Sequence, residues 1–256
     1  MENPVITTML NRRSVRKYTT QQPTDEVLET VVRAGQQAPF AAQMYSILLN
    51  RKKKNPFNAP LLFTFCVDMH KLELIMARRG WKTVSNNLSI LLFGIQDAAY
   101  AAQNMVIAAE NFGMGSCYLG VTPYYATRIQ KRYHLPSRVF PLVELTMGYP
   151  AEDFPPRPRY PLEFTLFEDR YPEMNDEMVT RAMQAMDEGY LAQGYYLKQR
   201  AKLPLESEGK EETYTYKDYS WTEHISRKWG QWFEDPGDLL DQLKACGFEI
   251  EPPQKE

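Results

Sequence analysis

The chain has 256 residues and a mass of 29.8 kDa, enough for one large domain or a domain with an appendage, and its 43% hydrophobic and 24% charged composition provides a core to bury. A net charge of −2 and a pI near 6.0 argue against a general nucleic-acid binder and imply no bulk electrostatic partner. The polar opening MENPVITTML does not read as a signal peptide, and no run approaches the ~20 apolar residues of a membrane span, so a cytoplasmic protein is expected. Cys66, Cys117 and Cys246 are odd in number and widely spaced, which fits reduced thiols, and His70, His134 and His224 show no metal spacing with them. No Walker loop, GxGxxG, GxSxG or HExxH is present.

Asn3 can cap a first helix with Pro4 at its first position, and Val5, Ile6, Met9 and Leu10 give that helix an apolar side. It runs into Arg12-Arg13-Ser14-Val15-Arg16-Lys17-Tyr18. Cations around a serine hydroxyl suit a phosphate, through guanidinium forks and a neutral donor, and they equally suit a solvated basic turn. Thr24 caps a second helix with Asp25 and Glu26 at its positive end and a core stripe of Val27, Leu28, Val31 and Val32, which should stop by Ala38-Pro39. Pro39, Phe40, Ala41, Ala42 and Gln43 then form a small apolar turn leading into a strand over 45–49. The basic run Arg51-Lys52-Lys53-Lys54-Asn55-Pro56 reads as a solvated turn. Residues 61–67 are continuously apolar, as a central strand covered on both faces would be, and Asp68 ends it.

Residues 69–96 should hold a helix and a loop feeding the most informative stretch, 97–121. There Ala98, Ala99, Ala101, Ala102, Met105, Val106, Ala108, Ala109 and Phe112 exceed the single stripe of a surface helix. The spacing predicts a helix buried on nearly all sides, with Asp97 at its positive end and Gly113 as a left-handed stop. Residues 116–121 read as a buried turn into a strand whose glycines let backbone approach something flat or bulky, with an ordinary core helix and glycine stop as the plainer alternative. Pro123 begins a helix running to 133, and a strand over 140–147 carries Val143 and Leu145 before Gly148-Tyr149-Pro150 closes it. Pro150, Pro155, Pro156, Pro158 and Pro161 force an extended strap with Arg157 and Arg159 at alternate positions, either a second anion site or surface charge in water. From about 172 come a long amphipathic helix over 175–198, with Met178, Ala182, Met186, Tyr190 and Tyr196 on its stripes, and a charged, mobile loop over 200–217. A helix over 222–233 with Trp221, Ile225, Trp229 and Trp232 follows, and a last one starts at Asp235-Pro236, packs Leu239, Leu240 and Leu243, and stops at Gly247. The expected division is a core over 1–171 and a helical extension over 172–256.

Five segments occur in a recognisable order: RRSVRKY, QQAP with its loop and strand, DAAYAAQNMVIAAENFGMGSCYLG, ELTMGYPAEDFPPRPRYPLE, and the tail YSWTEHISRK with LLDQLKACGF. Over about residues 3–248 the chain resembles the FMN-dependent nitroreductase family, and its tail is similar to that of the NADPH-preferring nitroreductase and flavin reductase branch. The resemblance implies an α+β fold with a mixed sheet flanked by helices. It also implies a homodimer with a buried central helix, FMN between the protomers, and a C-terminal helical extension on the core and partner. By that resemblance Arg12, Arg13, Ser14 and Arg16 hold the flavin phosphate and ribityl chain, joined by Arg157 and Arg159. Pro39, Phe40, Ala41 and Gln43 lie against the flavin from the partner subunit, and the Leu119-Gly120 backbone approaches the isoalloxazine, where an amide facing N5 would favour reduced flavin.

The chemistry so implied is electron transfer from NADPH or NADH to the flavin, and then to a small-molecule acceptor (a nitroaromatic, quinone or free flavin) in the same place, hence ping-pong, with no catalytic side chain and no metal. Two departures from the family pattern stand out. The family loop Pro-Ser-Ser-x-Asn-x-Gln-Pro-Trp is here Pro39-Phe40-Ala41-Ala42-Gln43-Met44-Tyr45-Ser46-Ile47, and the helix after the strand is cut down to 51–58. Lys54, Asn55 or Asn58 would then have to read the flavin pyrimidine, and Arg200, Lys202 and Lys210 are the cations near the segment that grips the NADPH 2′-phosphate. Phe40, bulkier than serine, motivates the alternative of a non-catalytic FMN-binding storage or sensing protein. The atypical 40–58 and 69–92 segments motivate a same-fold enzyme acting on flavin or halogenated aromatics.

Overall fold

In the computed structural model, which describes residues 3–51, 54–207, 209–231 and 236–250, the Asn3 carboxamide accepts from Val5 N at 2.9 Å and starts helix α1, Pro4–Asn11. Its apolar side chains Val5, Ile6, Met9 and Leu10 are all exposed. Helix α2, Asp25–Gln36, is capped by Thr24 and buries Leu28 and Val31. Gly35 lets it close on the central helix, since a Cβ there would meet Met105 Cγ at 2.5 Å. The chain forms two compact units, one of 1–154 with 235–256 and one of 155–234.

The first unit is built on four strands, β1 Tyr45–Asn50, β2 Leu61–Asp68, β3 Gly115–Leu119 and β4 Val139–Gly148, in the order β1-β2-β4-β3. Every residue of β2 is buried, as its unbroken apolar run requires. The sheet expected to be mixed is antiparallel across these strands, because β4 returns between β2 and β3, which run the same way. Among the described residues, parallel pairing is confined to one bridge, Ser14 with Ser116. Pro141, which has no N–H to give, sits at the bulge where the β2–β4 register shifts between Phe65 and Cys66.

Helix α3, His70–Arg78, leads to the central helix α4, Asn87–Asn111, whose start lies well before the one expected. Asn86 caps it by accepting from Ser89 N at 2.8 Å, so Asp97 stands in mid-helix rather than at the positive end. Gly113, at φ 73, stops it as anticipated. Ala98, Ala101, Ala102, Met105, Val106 and Ala109 pack on Phe63, Phe65, Leu145 and Met147 of the sheet. The opposite side, with Leu88, Leu92, Phe93 and Tyr100, is exposed, so within one chain this helix is buried on one face only. A 3-10 turn, Thr122–Tyr125, precedes helix α5, Ala126–Tyr133. The last helix of this unit is Pro236–Ala245; Leu243, Cys246 and Phe248 join Phe140, Val67 and Met44 in a second cluster. That packing groups it with the core unit.

In the second unit the helix expected over 175–198 breaks at Gly194, φ 58, into α6, Asp176–Gln193, and α7, Tyr195–Gln199. Helix α8 is Trp221–Gln231; Trp232, Phe233 and Asp235, like Lys52 and Lys53 of the basic turn, lie outside the described residues. The 200–217 segment, expected to be mobile, is irregular but anchored: Arg227, 4% exposed, holds Glu212 with two guanidinium bonds of 2.7 and 2.8 Å and donates to Leu203 O. Lys202 pairs with Glu212 at 3.0 Å and donates to Tyr214 O. Hydrogen bonding from Arg227 and Lys202 keeps the Glu212 carboxyl far below the ordinary carboxylate range.

Candidate functional site

Val15 anchors the basic turn: it is 1% exposed, its N–H donates to Ser116 O at 2.8 Å, and its side chain fills the space a Cβ on Gly115 would take. The turn is thus pinned to the start of β3, with Ser14 bridged to Ser116 and Arg16 exposed. Arg12 Nη1 and Arg13 Nε are buried without a hydrogen-bond acceptor, although Arg13 Nη2 reaches Asp153 at 2.6 Å. Beside them is a cleft of about 270 Å³, lined among others by Asn11, Arg13, Glu110, Gly113, Gly115 and Pro150. Buried guanidinium nitrogens aimed at no acceptor suit a dianionic phosphate, so the residues present fit that part of a flavin nucleotide.

Glu110 is a residue that spacing did not bring out. Burial pushes its carboxyl up, and the nearby Arg12 and Arg13 partly oppose that shift. Its Oε1 is buried without a donor. Three residues along β3 from Ser116, about 10 Å at ~3.3 Å per residue, is Leu119, and next to it Gly120, where a Cβ would meet no atom within 4 Å. The fold does not require glycine there; the open space is available to a ligand, and a phosphorylated ribityl chain can span the interval.

The remaining candidates are not gathered at this corner. Pro39, Phe40, Ala41 and Gln43 lie at the entry to β1, with Phe40 56% exposed and Gln43 at φ 53. Tyr45 is level with Val67 and Phe140, and Ser116 with Met147. That offset of seven residues is about 23 Å along the strands, and three strand spacings add about 14 Å across, so Tyr45 and Ser116, the sheet residues next to the two groups, stand about 27 Å apart on the diagonal. This loop is organised by Asp97, whose carboxylate accepts from Ala41 N, Ala42 N and Met44 N. One carboxylate inside a run of small apolar residues was the signal in the sequence, and helix polarity was the wrong explanation for it.

Arg157 and Arg159 belong to the second unit, where both are engaged. Arg157 lies 4.1 Å over the Tyr195 ring and donates to Gln193 Oε1 at 2.6 Å, while Arg159 turns back onto the carbonyls of Arg157 and Pro158. They do not form the parallel pair expected. Asn55 is likewise occupied, its carboxamide joined to Asn50 and to Ala59 O inside its own turn. Asn58, exposed at φ 53, remains open to a ligand, whereas Lys202 is committed to Glu212 and Tyr214.

With this geometry in view, comparison with known proteins is specific. The Nitroreductase family profile matches residues 9–49 and 47–149. An NADPH-dependent oxidoreductase of Staphylococcus epidermidis is 29% identical over 266 aligned positions, covering 97% of this chain and 99% of the relative. An FMN reductase (NADPH) of Bacillus subtilis is 32% identical over 192 positions, 68% of this chain and 77% of its own. The solved structure of B. megaterium NfrA1 superposes with a TM-score of 0.80 at 28% identity, covering 97% of this chain and 100% of that one. The matched profile spans both the arginine turn on β3 and the loop anchored by Asp97, and the chain belongs to the nitroreductase family.

Proposed function

We propose that the protein is an NAD(P)H-dependent oxidoreductase that works through bound FMN and passes electrons to nitroaromatics, quinones or free flavin. The observation that carries this reading is the pair of buried, acceptor-free guanidinium nitrogens on a turn pinned to β3, in line with the open space at Gly120. Relatives named as an NADPH-dependent oxidoreductase, an FMN reductase and an NADPH nitroreductase support it, and none supports a non-catalytic module. When bound, FMN supplies the hydride-accepting and electron-donating ring. Arg12 and Arg13, with Ser14 and Arg16, fix its phosphate; the Leu119-Gly120 backbone leaves room for the ring. Neutralising the phosphate in a partly buried cleft fixes where the cofactor lies without requiring any side chain to react. Arg157 and Arg159 each commit Nη1 to Gln193 or to main-chain carbonyls, and their part in holding the phosphate would fall to the other guanidinium N–H groups.

The site is completed by a second copy of the chain. Its two groups of residues adjoin Tyr45 and Ser116, about 27 Å apart at diagonal corners of one sheet, and the outer faces of α1 and α4 carry exposed apolar side chains in need of cover. A homodimer in which each loop over 39–43 meets the arginine turn of the other copy accounts for both. A cytoplasmic location accords with three buried thiols free of disulfides.

The test is to purify the protein, record its absorption spectrum and add NADPH and then NADH without oxygen. A flavin spectrum that bleaches within seconds is expected, and the faster donor defines the nicotinamide preference. A protein that stays colourless with added FMN overturns the reading; bound flavin that neither donor bleaches moves it to the storage or sensing alternative, with Phe40 closing the donor site.

A further inference from the structure

A carboxylate in the middle of a helix and 1% exposed is costly unless its charge is met by hydrogen bonds. Asp97 meets this condition through the 39–44 loop. Its Oδ1 accepts from Ala41 N at 2.6 Å, and its Oδ2 from Ala42 N at 3.1 Å and Met44 N at 2.9 Å. No lysine or arginine forms an ion pair with it among the described residues. The helix behind it cannot yield, since Ala98 and Ala101 are fully buried against the sheet.

The loop has little other support. Ala41, Ala42 and Gln43 are exposed, Gln43 is held in the left-handed region at φ 53, and Tyr45 N closes the turn on Gln43 O at 2.8 Å. One buried charge therefore sets the shape of a strained, outward-facing segment. It also determines what the rim can offer. Pro39 has no N–H, and those of Ala41, Ala42 and Met44 point inward to Asp97, which leaves the N–H groups of Phe40 and Gln43 and the Gln43 carboxamide as donors.

We infer that Asp97 is a positioning residue for the flavin site: from inside the core of one subunit it fixes the loop that walls the flavin held by the other. This rests on the reading that the loop lies against the flavin.

The experiment measures amide hydrogen exchange at residues 41, 42 and 44 in the intact protein, in parallel with FMN titration and the visible spectrum of the bound flavin. Slow exchange is expected in the parent despite the exposed side chains. Asp97→Asn keeps the shape but turns an amide group toward at least one of the three donors, and should speed exchange on the order of tenfold or more. It should also weaken FMN binding and shift the flavin absorption envelope, which a purely structural lesion elsewhere would not do. Asp97→Glu, which keeps the charge, should recover part of the protection and serves if the asparagine variant does not fold. Rapid exchange at these amides in the parent, or unchanged exchange in a folded variant, overturns the inference. Faster exchange with unaltered flavin affinity and spectrum overturns the placement of the loop on the flavin, and this role of Asp97 with it, while leaving the oxidoreductase reading in place.

Discussion

Gly120 and Glu110 separate ligand space from folding requirement, residue by residue. A Cβ on Gly120 would meet nothing in the chain, so Gly120→Ala should leave stability within about 0.5 kcal/mol of the parent. If the flavin ring lies there, the same methyl should weaken FMN on the order of tenfold, the ratio that about 1.4 kcal/mol of steric cost gives. Thermal denaturation of the apoprotein and flavin titration measure the two effects separately. Glu110 is read through pH. Burial raises its carboxyl above the unfolded value, with Arg12 and Arg13 opposing. Stability from the protonated form is therefore complete below the ordinary glutamate range and is lost as pH rises through the raised value. Glu110→Gln, which resembles that form, should melt higher than the parent at pH 7 and alongside it near pH 4.

Among elements, the contact between α2 and α4 is the tightest test of packing. Gly35 faces Met105 Cγ and Ala101 O at 2.5 and 3.0 Å from where a Cβ would sit, and Gly35→Ala should cost about 1–3 kcal/mol in denaturant unfolding, through overpacking. Much of this architecture was legible in the residues: the buried run of β2, the Asn3 and Thr24 caps, the Gly113 stop, and the arginine turn as a unit. What was not legible depends on residues distant in sequence. Asp97 looked like a helix start because three donors 53 to 56 residues earlier are invisible to periodicity. The alanine-rich stretch looked buried all round because composition does not say which face of the helix the chain leaves exposed. Arg157 and Arg159 looked alike by alternation, and an aromatic ring and a carbonyl pair drew them apart. The charged 200–217 segment looked mobile because its counterion, Arg227, comes from a later helix.

On the scale of the whole molecule, the exposed apolar faces of α1 and α4 predict a particle of twice 29.8 kDa in sedimentation. Dilution should release FMN over the same concentration range in which the particle halves, and flavin retained by a monomer would count against a shared site. The diagonal placement of the two half-sites also has a genetic consequence. In the proposed homodimer, a chain damaged only at the arginine turn and a chain damaged only at the Asp97 loop should each be impaired as pure assemblies, whereas their mixed pair would bring one intact corner from each to the same interface. Co-expressing Arg13→Ala with Asp97→Asn should therefore restore activity by complementation, to at most half the parental value per mixed pair, whereas two lesions at the same corner should restore none.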